Sequence, residues 1–65
     1  MKIVDVSIIV PTLNEEKFIK QCLSSIVNQQ TSLDMELIVV DGQSKDKTLD
    51  IAKNYADRVI VLKKE

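Results

Sequence analysis

Tryptophan is absent from this 65-residue chain, glycine, proline and cysteine occur once each, and the aromatic residues are Phe18 and Tyr55. Each scarcity closes off a class of function. A lone cysteine, Cys22, has no partner for an internal disulfide and no companion ligands for a metal. It reads as a small buried hydrophobe on a helix. Two isolated aromatics make no stacking platform for bases. Nine basic residues against ten acidic ones, a net charge of −1, give no electrostatic footprint for nucleic acid. No apolar run approaches the roughly 18 residues that cross a bilayer. Asp5 falls where a signal peptide would keep its apolar core. A cytoplasmic chain is expected, membrane-associated only as part of a longer protein.

What remains is ordinary globular composition, with 45% hydrophobic and 29% charged residues. The length allows one small domain, and a chain this short buries only about 60% of its unfolded surface.

The apolar pattern changes period along the chain. Val4 to Val10 is β-branched, apolar on both faces beyond Ser7, and bounded by Pro11, which predicts a buried strand. From Glu15 to Gln29 the apolar residues Phe18, Ile19, Cys22, Leu23, Ile26 and Val27 recur at spacings of three and four, which predicts an amphipathic helix. Asn14 suits its N-cap, and Thr12-x-x-Glu15 has capping-box spacing one turn earlier. Residues 28 to 34 read as a loop. Glu36 to Val40 is a second apolar strand, stopped by the turn-prone pair Asp41-Gly42. Ser44 or Asp46 can cap a second helix from Lys47 to Ala56, with Leu49, Ala52, Tyr55 and Ala56 inward. Arg58 to Leu62 is a third strand, and Lys63-Lys64-Glu65 a solvated tail.

The order β-α-β-α-β implies parallel strands, with crossovers right-handed in about 98% of cases. The fold class is α/β: a three-stranded parallel sheet in order 3-2-1, Rossmann-like, with both helices on one face. A parallel sheet wants cover on both faces. A homo-oligomer or a missing C-terminal half would supply the second layer.

Ligands of open parallel sheets sit outside the carboxyl ends of the strands. Two loops occupy that edge: Pro11 to Glu15, and Asp41 to Asp46. The first has no glycine, so it is no dinucleotide fingerprint, and the chain has no G-x-x-x-x-G-K-[ST] phosphate cradle. Glu15 and Glu16 stand at the mouth of the first helix, where they suit its dipole and repel an anion. Carboxylates and carbonyls there suit a hydrogen donor, such as a base N–H or a ribose hydroxyl, or else a metal ion. Taken alone, Asn14, Glu15 and Glu16 also read as a cap and a dipole-matched first turn.

"VSIIVPTLNEEKFIKQCLSSIVNQ" followed by "ELIVVDGQSKDKTLDIAKNYA" resembles the N-terminal, nucleotide-sugar-binding half of family-2 glycosyltransferases, inverting enzymes of the GT-A fold. The likeness runs from Val6 to Leu62 and joins two motifs, Pro-Thr-x-Asn-Glu and Val-Val-Asp-Gly-x-Ser-x-Asp-x-Thr. It implies that residues 1–65 are the N-terminal nucleotide-binding part of an incomplete glycosyltransferase-like domain. It also implies that Pro11, Thr12, Leu13 and Glu15 line the base and ribose pocket of a UDP- or GDP-sugar, with Val40 and Asp41 facing them. A divalent metal, Mg or Mn, serves the complete family domain. Two positions depart from the family pattern: Leu13 replaces a frequent aromatic, and Gly42 a frequent second acid. No Asp-x-Asp metal motif occurs in the chain, and the family's general base lies in the acceptor-binding half. The isolated chain is therefore expected to bind without catalysing. The alternative is a non-catalytic α/β interaction module that self-associates through its uncovered sheet face. A response-regulator-like or dinucleotide-binding domain fits less well, for want of paired acids after the first strand or of glycines.

Overall fold

The computed structural model of the chain describes residues 4–29 and 33–63. Five elements follow in order: β1 (Val6–Thr12), α1 (Ile19–Val27), β2 (Met35–Asp41), α2 (Thr48–Ala52) and β3 (Arg58–Val61). The three strands form one parallel sheet in the order β1-β2-β3, with β2 central. This is the expected α/β, Rossmann-like arrangement.

The register decides which side chains share a face. Ile8 lies beside Leu37, Val10 beside Val39, Thr12 beside Asp41, and Val39 beside Val59. Because side chains alternate along a strand, these residues point to one side, where Ile19 and Leu23 of α1 and Ala52 of α2 complete the core. Leu23 and Val39 have no exposed surface. Burying each contributes about 1.5–3 kcal/mol. Ile26, Ile51, Tyr55 and Ala56 pack around them half-buried.

The opposite face is bare. Ile9 is 62% exposed and Ile60 is also exposed, while Ile38 and Val40 are half-buried. A weak ion pair between Arg58 and Glu36, at 3.9 Å, crosses one end of that face; its exposure makes it worth little.

Several sequence expectations shift. β1 is an edge strand with one open face, not a buried one. It also runs through Pro11 rather than stopping before it. The Val6 amide donates to Asp34 and the Thr12 carbonyl accepts from Gly42. These end bonds give the even-numbered residues of β1 to β2. Ser7, Ile9 and Pro11 turn their backbone to the open side, where a proline's missing N–H costs no ladder bond. The regular helix α1 begins at Ile19, one turn later than expected, with no acid in its first turn and no side-chain cap. A preceding turn links Phe18 and Ile19 to the Glu15 carbonyl. α2 is shorter than Lys47 to Ala56, passing into turns after Ala52. Cys22 is exposed, not buried. The apolar stripe around α1 is wider than the sheet beneath it, so Phe18 and Cys22 stand exposed beside β1. Residues 30–32 of the loop before β2, and Lys64 and Glu65 of the tail, lie outside the described residues.

Candidate functional site

At the carboxyl end of the sheet, Thr12 and Asp41 are neighbours in the register and both are buried. Polar groups in such a place must find partners. The Thr12 hydroxyl donates to Asp41 Oδ1 at 2.7 Å. The Ser44 hydroxyl donates to the same oxygen at 2.5 Å, and the Ser44 amide to Asp41 Oδ2 at 2.6 Å. A carboxylate offers about four acceptor sites, and Thr12 and Ser44 fill three of those on Asp41. Burial alone raises its pKa, but the bonds from Ser44 and Thr12, with the nearby Gln43 amide, outweigh it and hold the carboxyl below its ordinary value.

The second loop is fastened to the first by three backbone amides. The Asn14 N–H donates to Ser44 Oγ at 2.8 Å, the Glu15 N–H to Thr48 Oγ1 at 2.7 Å, and the Glu16 N–H to Asp46 Oδ2 at 3.2 Å. In the reverse direction the Lys45 N–H donates to Asn14 Oδ1 at 2.8 Å. Asp46 Oδ1 accepts from both the amide and the hydroxyl of Thr48. The hydroxyl bond leads the causes that keep the Asp46 carboxyl below its ordinary pKa. Asn14 (φ 52°) and Gln43 (φ 69°) both take left-handed backbone, an uncommon state for residues other than glycine.

Asn14 therefore does not cap α1, because a capping residue needs extended backbone. Its side chain serves Lys45 instead. Thr12, read as part of a capping box, belongs to the strand and turns its hydroxyl to Asp41. Lys47, not Ser44 or Asp46, stands at the N-cap of α2 and makes no side-chain cap bond. Asp46, one residue earlier, accepts from Thr48. The Ser44 and Thr48 hydroxyls serve the first loop and Asp41 and Asp46.

The six residues singled out in the sequence fall into three settings. Pro11, Thr12 and Glu15 line a cavity of about 220 Å³ beside β1, closed by Val10 and by Phe18, Ile19 and Cys22 around the start of α1. None of its walls comes from β2, so it opens on the free side of β1. Leu13 is 56% exposed and leans on Gly42: a Cβ added at that glycine would lie 3.7 Å from Leu13 Cδ1. Asp41 lies beneath them with no exposed surface, and Val40 sits on the bare face. Sequence reasoning missed Ser44 and Thr48 as connectors between the loops. Their hydroxyls, spaced four residues apart after a strand, are the only local hint.

No group of three or more cysteine, aspartate or glutamate side chains among the described residues could hold a metal ion. Asp41 and Asp46 are committed to internal donors. The described residues do not fit the divalent metal expected of a complete family domain. No helix among the described residues is long and apolar enough to cross a membrane.

Comparison with known proteins places this geometry in a family. The family described as glycosyl transferase family 2 matches residues 7–65. The chain belongs to glycosyl transferase family 2. It is 49% identical over 59 residues to a PGL/p-HBAD biosynthesis glycosyltransferase of Mycobacterium tuberculosis, covering 85% of this chain and 23% of that protein. It is 49% identical over 49 residues to a dolichyl N-acetyl-alpha-D-glucosaminyl phosphate 3-beta-D-2,3-diacetamido-2,3-dideoxy-beta-D-glucuronosyltransferase of Methanococcus voltae, covering 74% of this chain and 15% of that protein. The crystal structure of glucosyl-3-phosphoglycerate synthase from M. tuberculosis, in complex with Mn2+, UDP and glucosyl-3-phosphoglycerate, superposes with a TM-score of 0.75 at 36% identity. That match covers 89% of this chain and 21% of the synthase. The chain thus spans about a quarter or less of the length of these relatives.

Proposed function

We propose that residues 1–65 form the nucleotide-binding part of a glycosyltransferase domain and hold the nucleoside of a UDP- or GDP-sugar donor for inverting transfer. One observation carries this reading: the Asn14, Glu15 and Glu16 amides, which at a phosphate site would point at the ligand, are occupied by Ser44, Thr48 and Asp46. An edge with its N–H groups occupied and the Glu15 carboxylate exposed suits a ligand that donates hydrogens. A nucleobase and a ribose do so; a bare diphosphate does not. The synthase structure that holds UDP supports the same choice.

In this reading Pro11, Leu13 and Glu15 meet the base and ribose directly. Thr12 and Asp41 support them from below, and Val40 backs the strand end. Asp41 has no exposed surface, so direct contact with it requires the loops above it to shift. Glycosyl transfer needs charge stabilisation on the leaving diphosphate and a base for the acceptor. The described residues assemble neither, so this chain alone binds and does not transfer; a divalent cation and the base belong to the complete domain. The donor fits a cytoplasmic site of action.

Titration of isotope-labelled chain with UDP and with GDP tests the reading. Movement of the Leu13, Glu15 and Asp41 amides is the expected result, and movement elsewhere or nowhere refutes it. The bare sheet face, with Ile9 62% exposed, favours a second reading as a self-associating module. That reading requires a mass that grows with concentration and indifference to nucleotides.

A further inference from the structure

We infer that Ser44 and Thr48 are positioning residues: their hydroxyls set the shape of the first loop and so present Leu13 and Glu15 to the ligand. The inference rests on the nucleotide reading above for its functional half only.

Each hydroxyl works in both directions. Ser44 Oγ accepts the Asn14 N–H at 2.8 Å and donates its own hydrogen to Asp41 at 2.5 Å. Thr48 Oγ1 accepts the Glu15 N–H at 2.7 Å and donates to Asp46. A hydroxyl has one hydrogen to give, so its donation to a carboxylate leaves only its lone pairs for the loop. The two aspartates thereby fix the direction of both bonds. Thr48 is fully buried, so its surroundings hold the acceptor of the Glu15 amide in one place.

The loop held in this way is not in a relaxed state. Asn14, between Leu13 and Glu15, has φ 52°, and across the seam Gln43 has φ 69°. Such backbone persists when its surroundings over-determine it, and it gathers at sites where geometry matters. Both residues adjoin a hydroxyl bond: Asn14 donates to Ser44, and Gln43 precedes Ser44 in the chain. With Thr48 unable to accept, the Glu15 amide has no partner and the left-handed turn loses its anchor. Leu13 and Glu15 would then sample several positions. The motif Asp41-x-x-Ser44-x-Asp46-x-Thr48 accordingly acts through the other loop, without touching the nucleotide.

The experiment compares the parent chain with Thr48→Val, Thr48→Ser and Ser44→Ala. Three readouts are taken: the dispersion of β-strand amides, hydrogen exchange at Asn14 and Glu15 without nucleotide, and the Kd for UDP. Valine keeps the volume and removes the hydroxyl; serine restores the hydroxyl. The expected result is that Thr48→Val keeps strand dispersion, exchanges the Glu15 amide at least tenfold faster, and weakens UDP binding about tenfold, with Thr48→Ser near the parent in both. Ser44→Ala is expected to speed exchange at Asn14 in the same way. Unchanged exchange at Glu15 in Thr48→Val overturns the inference, as does faster exchange with an unchanged Kd. Should Thr48→Val lose strand dispersion, Ser44→Ala decides by the same two measurements. If the parent binds no UDP or GDP, the nucleotide reading falls. Exchange at Asn14 and Glu15 then still decides whether the hydroxyls hold the loop.

Discussion

Thr12 and Asp41 end two neighbouring parallel strands, and the hydroxyl of the first donates to the buried carboxylate of the second at 2.7 Å. This bond sits where the core gives way to the two loops at the carboxyl edge of the sheet. On the core side the sheet face is apolar; beyond the bond, the side chains that hydrogen-bond one loop to the other are Asn14, Ser44, Asp46 and Thr48. A buried carboxylate is tolerated there because donors from Thr12 and Ser44 meet it.

Acid should therefore destabilise the chain through Asp41. Its pKa in the folded state lies below the ordinary carboxylate value. The group binds a proton more readily when unfolded, so its contribution is fully present above the unfolded pKa of about 3.9 and disappears as pH falls through the folded value. The urea midpoint should hold steady from about pH 5 upward as far as Asp41 is concerned, then fall below about pH 4. Thr12→Val removes one donor and should move the Asp41 titration upward. Carboxyl-carbon shifts of Asp41 against pH check this; titration at the ordinary value in the parent sinks it.

Stability should be sensitive at Leu23, the residue of α1 with no exposed surface. Leu23→Ala removes apolar contact and leaves a cavity, at a cost of about 2–5 kcal/mol. A 65-residue chain has roughly 3–10 kcal/mol in total. The unfolding free energy read from urea titrations by circular dichroism should fall by that amount, a large share of the total. Phe18→Ala, at the N-cap of the same helix but 66% exposed, should change stability by less than about 1 kcal/mol.

The nucleoside should matter more than its phosphates. With the Asn14, Glu15 and Glu16 amides occupied, three N–H groups that could bind an anion ahead of the first helix are taken. Uridine should bind within a few-fold of UDP, and pyrophosphate should not compete. Calorimetry with the three ligands decides; tight pyrophosphate binding would count against the proposed function.

Much of the fold was legible because strand and helix periods are local. Ile8-Ile9-Val10 and Leu37-Ile38-Val39-Val40 announce strands, and Ile19-x-x-x-Leu23 announces the buried helix stripe. The errors arise where a distant neighbour decides. Pro11 read as a strand end because it lacks an N–H, yet on the open side of an edge strand that N–H has no ladder partner to lose. Cys22 falls on the apolar stripe, but the sheet beneath α1 ends at β1. Asn14 has a capping residue's chemistry and a left-handed backbone. The site was legible in part. Its two loops were found from the strand ends, but the Ser44 and Thr48 hydroxyls bond to amides 30 and 33 residues away, a separation no local pattern encodes.

Gly42 offers the sharpest change of ligand preference. The residue has no positive φ, and a Cβ there would meet Leu13 Cδ1 and the Thr12 carbonyl at 3.7 Å, ordinary contact distances. Neither backbone conformation nor space requires a glycine. Gly42→Asp should therefore fold with stability within about 1 kcal/mol of the parent. It would also add, beside the exposed Leu13, an acid that is not buried beneath the loops as Asp41 is. A hydrogen bond to a charged group is worth about 1.5–3 kcal/mol, so the Kd for UDP should fall by about tenfold or more, with a smaller gain for a base methylated at its imide nitrogen. That methylated analogue separates a new base contact from a general charge effect, because it removes the donor and leaves the diphosphate unchanged. Equal gains for UDP and the analogue, or no gain for either, would show that position 42 does not face the base.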